Sequence, residues 1–234
     1  MSLLAQVWRR VTETQPAPSS TVVLTTAVIA ALVVALPRLW PLARHVITLV
    51  HEGSHATVAV LTGRRLAGIR LHSDTSGLTV SVGRPRGPGM VATAAAGYVG
   101  PGVLGLGAAW LTSHGHAVAV LWLLLLLLAL VLVQIRNWFG LWSVLVTGGM
   151  LIVVTWWAAP SWQSASAYAI TWFLLLGSPR PVLELLAQRS AASDAALLAR
   201  LTHVPAPMWG LAFGAATTAT AVLGGSLLIA APSA

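Results

Sequence analysis

Seven histidines are spread over the 234 residues of this chain. Two of them bracket a glutamate in Val50-His51-Glu52-Gly53-Ser54-His55-Ala56, an H-E-x-x-H pattern. On a helix, residues four apart share one face, so the His51 and His55 imidazoles reach one ion. Two neutral imidazoles suit Zn2+, which at a catalytic site takes a third protein ligand and keeps a fourth position for water. The metal lowers the pKa of that water to ~7 and polarises a carbonyl oxygen. Glu52 stands beside the first ligand without binding the ion. From there it takes the water's proton and passes it to a leaving amine. The chemistry so implied is peptide-bond hydrolysis by metal-activated water, with one Zn2+ per chain.

The third ligand lies elsewhere. His114 and His116 fall in a short loop. His45 precedes His51 by six residues and points off the shared face. Asp74 sits at an expected hairpin tip, where Asp is an ordinary turn residue. Glu184 follows Pro181 and complements a helix N-terminus. Asp194 lies among Ser190, Ala191, Ala192, Ser193, Ala195 and Ala196, small neighbours that allow close approach to another helix. Asp194 is therefore preferred over Glu184 and Asp74.

The segments that must hold these residues are apolar. Hydrophobic residues make up 57% of the chain and charged ones 8%, with a mean hydropathy of +0.83. Soluble domains carry about a quarter charged residues, so this composition excludes an ordinary soluble enzyme and points to an all-α polytopic membrane protein. The absence of cysteine excludes thiolate ligands and a thiol nucleophile. Apolar runs predict about seven transmembrane helices, at about 20–37, 43–62, 88–112, 116–135, 138–158, 163–178 and 205–231. Trp110, Trp138, Trp156, Trp157, Trp162 and Trp209 fall near their ends, as interfacial indoles do. Glu52 lies inside the second span, where an ionisable group is costly and points to function.

All 13 basic residues are arginines, and they alternate with the spans instead of forming one face. That pattern argues for topology and against a nucleic-acid partner. With the N-terminus cytoplasmic, inner segments carry Arg9, Arg10, Arg64, Arg65, Arg70, Arg84, Arg86, Arg136, Arg180, Arg189 and Arg200. The outer ones carry only Arg38 and Arg44, and an odd number of spans puts the C-terminus outside. Residues 1–19 read as a cytosolic segment and 20–234 as a single transmembrane domain. Between the second and third spans, Leu78, Val80 and Val82 alternate with Thr79 and Ser81. Together with Leu66–Leu71 they predict a small β-hairpin, cytosolic or membrane-associated. Ala94, Ala95, Ala96, Gly97 and Gly100 form a small-residue face suited to packing against the motif helix.

The stretches His51–Gly63, Gly68–Thr79, Ala96–Pro101, Arg136–Gly140 and Ser193–Trp209 together resemble the site-2 protease family of zinc intramembrane metalloproteases. The closer likeness is to its compact bacterial M50B-like branch, over roughly a quarter of the chain. The resemblance implies zinc ligands at His51, His55 and Asp194, in a site between helices. It also implies Glu52 as catalytic acid and base, a transmembrane protein substrate cut in or near the lipid bilayer, and residence in a bacterial cell membrane. The hairpin resembles the family's membrane-associated β element, whose edge pairs with an extended substrate. Asn137, at a span boundary, is a candidate for hydrogen bonding to substrate backbone. One departure stands out: Asp194 is followed by Ala195, without the Asn-Pro and Asp-Gly that flank the third ligand in better-studied members. The rival class is a non-proteolytic membrane protein using zinc for structure, regulation or transport. A structural site would need closed four-ligand coordination, and a transporter further ionisable residues along the spans.

Overall fold

The computed structural model describes residues 2–188 and 190–230, so Arg189 and the end of the last expected span lie outside the described residues. Among the described residues, ten helices and two strands follow one another. They are α1 (Leu3–Thr12), α2 (Ser20–Ala35), α3 (Trp40–Leu61), β1 (Arg65–Leu71), β2 (Gly77–Val82), α4 (Pro88–Ser113), α5 (Ala117–Gln134), α6 (Trp138–Trp157), α7 (Pro160–Gly177), α8 (Pro179–Gln188), α9 (Asp194–Thr202) and α10 (Ala206–Ala230). Apolar runs fold as helices because only intrachain hydrogen bonds satisfy a backbone away from water. The outer surface fits that setting: Leu24, Val28, Leu126, Leu130, Val153 and Leu211 are all exposed, an apolar belt that lipid would cover.

Each expected span is a helix, but among the described residues the candidate crossings number five or six, not seven. Among the described residues, five helical stretches are long and apolar enough to cross a membrane: α4, α5, α6, the continuous α7–α8 run and α10. The helices α2 and α3 meet at 99° and make a sixth crossing only if taken as one broken span. The physical reason lies in the connection. Pro37 and Pro41 flank the break, and a proline removes an N–H and disfavours helix in the residue before it. α2, with 16 residues, is also shorter than the ~20 needed to cross alone.

Packing fixes the ends of the bundle. The Gln15 N–H donates to the Gly115 carbonyl at 2.7 Å, and Arg10 lies over the Trp156 ring at 5.2 Å. The N-terminal segment, the α4–α5 turn and the α6–α7 corner therefore share one end. The hairpin and the α5–α6 corner share the other, where the Arg136 N–H donates to the Ile69 carbonyl at 2.9 Å. α10 runs alongside α4 in the same direction: Tyr98 stacks on Phe213, and Gly102 faces Thr220 one turn on. The described end of α10 thus points to the same end as the N-terminal segment. The opposite placement of the two termini, expected from seven spans, does not fit this packing.

α2 packs along α7 through Val23, Ala30, Tyr168, Trp172 and Leu175. The short α9 is held by Leu198 and Ala195 against Ala94 of α4, Val182 of α8 and Phe213 of α10. That contact brings the start of α9 to the middle of α3. The hairpin is antiparallel, with an irregularity between Leu66 and Gly68. Ile69 and Leu71 bury its inner face against Leu49, Ala56 and Val144.

Candidate metal centre

His51 and His55 project from one face of α3, as their spacing requires. Their Nε2 atoms lie 3.0 Å apart. Asp194 is the first residue of α9. Ser193 caps that helix, its hydroxyl accepting from the Ala196 N–H at 3.3 Å. The cap leaves the Asp194 carboxylate free to face α3. Its Oδ2 is 3.2 Å from His51 Nε2 and 3.3 Å from His55 Nε2. The three groups can hold a metal ion.

The donor set fits zinc in both type and spacing. Ligand arms of 2.0–2.1 Å in a tetrahedron place neighbouring donors about 3.3 Å apart, close to the separations found. His55 Nδ1 lies 2.6 Å from the Thr93 carbonyl. An N–H must occupy that nitrogen, so the Nε2 lone pair faces the cluster, the arrangement a metal-ligating imidazole needs. Gly97 makes the cradle. A Cβ there would lie 2.4 Å from His55 Nε2 and 2.5 Å from His51 Nε2, so any side chain on α4 at this point would fill the space of the ligands.

Glu52 faces the hairpin. It is 4% exposed, and the Thr79 hydroxyl donates to its Oε2 at 2.6 Å. Tyr98 sets its ring edge-on against His51, centroids 4.9 Å apart, while stacking on Phe213. Beside Tyr98 opens a cavity of about 200 Å³ next to Ser193, lined also by Arg44, Glu184 and Gln188.

The other candidates have different neighbours. Glu184 accepts from Trp40 Nε1 at 2.9 Å and pairs with Arg44 at 3.0 Å and Arg180 at 3.7 Å. Asp74 closes the hairpin turn, its Oδ1 accepting from the Ser76 hydroxyl at 2.7 Å and the Ser76 N–H at 3.0 Å. Those two bonds hold its carboxyl below the usual range. His45 packs on Phe139 and His114 against Trp110. The amide of Asn137, expected to face substrate, is engaged by β1: Oδ1 accepts from the Leu71 N–H at 3.1 Å and Nδ2 donates to the Leu71 carbonyl at 2.6 Å. Sequence reasoning missed Thr79, Thr93 and Tyr98. The alternation of β2 marked Thr79 as belonging to its polar face, but nothing in the sequence named Glu52 as its partner.

Among known proteins, the family model described as Peptidase M50B-like matches residues 24–224. No curated protein and no solved structure matches the chain.

Proposed function

The chain belongs to the Peptidase M50B-like family, within the site-2 protease group, and we propose that it is a zinc-dependent intramembrane endopeptidase acting on transmembrane proteins. The observation that carries this reading is the convergence of three donors at tetrahedral spacing, with a buried carboxylate on the next residue that is not one of them. His51, His55 and Asp194 hold one zinc ion. When bound, zinc supplies Lewis acidity, which acidifies a water and polarises the scissile carbonyl.

The chain's own groups do the rest. Glu52 accepts the water proton on its carboxylate and returns it to the leaving nitrogen, so one side chain serves as base and then acid. Thr93 keeps the proton of His55 on Nδ1 throughout. The hairpin presents the substrate. A helix hides its peptide bonds, so the substrate segment must be extended to be cut, and a strand edge holds an extended chain by main-chain hydrogen bonds. The outer edge of β1 is taken by residues 135–137 through the Ile69–Ile135 bridge and Asn137. The edge that serves is therefore that of β2, which runs past Glu52. Asn137 contributes by fixing the hairpin to the α5–α6 corner.

Orientation follows from the arginines. Arg64, Arg65, Arg70, Arg84, Arg86 and Arg136 gather at the hairpin end and Arg9 and Arg10 at the other. The hairpin end is cytoplasmic on the positive-inside rule, and with α2–α3 taken as one broken span, six crossings put the N-terminal segment and the described end of α10 on the outer side. The protein lacks cysteine, so single introduced cysteines report sidedness directly.

The test combines metal and turnover. Purified wild type should carry close to one zinc per chain and cleave a single-span test protein in the same liposomes. His51→Ala and Asp194→Ala should lose both metal and cleavage, and Glu52→Gln should lose cleavage alone. A well-folded wild type without zinc sinks the reading.

A further inference from the structure

We infer that Thr79, carried by the hairpin and not by the motif helix, positions the Glu52 carboxylate for its proton transfers. The inference rests on the hydrolase reading above. A glutamate has three rotatable side-chain bonds, and a base is effective only when its oxygen stays within hydrogen-bond reach of the proton it takes. Something must therefore fix Glu52, and helix α3 supplies no such group.

The hairpin does, in three ways. The Thr79 hydroxyl lies 2.6 Å from Glu52 Oε2 and 3.0 Å from the Glu52 carbonyl. It has one proton to donate, and the shorter contact, to Oε2, takes it. This ties Oε2 and leaves Oε1 for the water. Gly77 forms the wall on the other side: a Cβ there would lie 2.5 Å from Glu52 Cγ and 2.6 Å from Oε1. The Gly77 backbone is ordinary strand, so the close approach to Glu52 is what the absent side chain serves. Finally, the Thr48 hydroxyl donates to the Thr75 carbonyl at 2.8 Å. That bond fastens the hairpin turn to α3 one helical turn before Glu52. The hydrogen bonds of the Thr79 side chain all go to Glu52, which makes it a positioning residue.

With Oε2 tied to Thr79, Oε1 is the oxygen left to accept the first proton. Once Glu52 is protonated on Oε1, the Thr79 bond still holds Oε2, and the acid proton keeps its aim for the leaving nitrogen. The same hairpin would thus present the substrate along the edge of β2 and align the base that acts on it.

Two readouts test this on zinc-loaded protein in detergent: kcat and KM on the single-span test protein, and Kd for a peptidyl hydroxamate, whose N–OH gives its proton to the base. Thr79→Val should lower kcat about 10- to 100-fold, the range of one charge-assisted hydrogen bond. KM should stay within about twofold and zinc at the wild-type level, and the hydroxamate should bind correspondingly more weakly. Thr79→Ser should restore most of both. Gly77→Ala should act in the same direction, and neither change should add to Glu52→Gln. A Thr79→Val protein with wild-type kcat and hydroxamate Kd, or with raised kcat, overturns the inference and leaves the hydrolase reading standing. So does a Thr79→Ser protein as impaired as Thr79→Val. A zinc-loaded wild type that neither cleaves nor binds hydroxamate removes the hydrolase reading, and this inference with it.

Discussion

Two carboxylates reach toward α3 from neighbouring short helices, and they do opposite things. Glu184 on α8 meets Arg44, Arg180 and the indole N–H of Trp40. Arg180 also stacks over that indole at 4.8 Å. This carboxylate thus has donors and positive charge for its neighbours. Asp194 on α9 meets two imidazole nitrogens and no arginine. Two imidazoles and a carboxylate turn one donor atom each toward a common point, the set that a cation would bridge. A half-buried acid with its counter-charges in place is a joint between helices, whereas a half-buried acid gathered with two imidazoles makes a ligand set for an ion.

The sharpest way to break that comparison is to remove each acid in turn. Asp194→Ala should drop zinc from about one per chain to near none, and cleavage with it, as read by elemental analysis and turnover. Glu184→Ala should leave zinc near one per chain. Its cost should appear as stability, about 1–3 kcal/mol, because Arg44 and Trp40 lose a partly buried partner. Thermal unfolding in detergent measures it. If Glu184→Ala loses zinc as completely as Asp194→Ala does, the two acids are not separate in role.

How far the sequence foretold this comparison depends on the range of the interaction. The H-E-x-x-H face is local, so its geometry was legible from a four-residue spacing. The preference for Asp194 rested on the small residues around it, and Ala195 does lie in the packed junction with Ala94 and Leu198. Pro37 and Pro41 were in view, but an apolar run on each side of them reads as two spans. The 99° meeting of α2 and α3 allows at most one crossing between them. The partners of Thr79 and Asn137 were not legible at all, because they lie 27 and 66 residues away along the chain. Composition and periodicity say which face of a strand is polar, and tertiary packing decides what that face meets.

The same contrast extends to the hairpin, where smaller effects sharpen it. Asn137→Ala should leave zinc unchanged and cost about 1–3 kcal/mol, since the Leu71 N–H and carbonyl both lose their partner. If turnover falls well beyond what that stability loss explains, Asn137 touches substrate in addition to β1. Hydrogen exchange at the Leu71 amide separates the two cases, because only the structural role requires that amide to become unprotected.

The smallest effect belongs to Asp74, at the hairpin tip. It is fully exposed, and the Ser76 hydroxyl and N–H hold its carboxyl below the usual range. A carboxyl whose folded pKa is depressed contributes stability above its unfolded pKa. That contribution is lost as pH falls through the folded value. Protection of the Ser76 amide, measured relative to its intrinsic exchange rate, should therefore be full near neutrality and decline on acidification below the ordinary carboxylate range. In Asp74→Ala it should be low and insensitive to pH, with zinc and turnover at neutral pH unchanged. If this variant instead loses turnover at neutral pH, the hairpin tip acts on Glu52 through Thr75 and Thr48. The line between acids that shape the hairpin and acids that do chemistry would then have to be drawn closer to the turn.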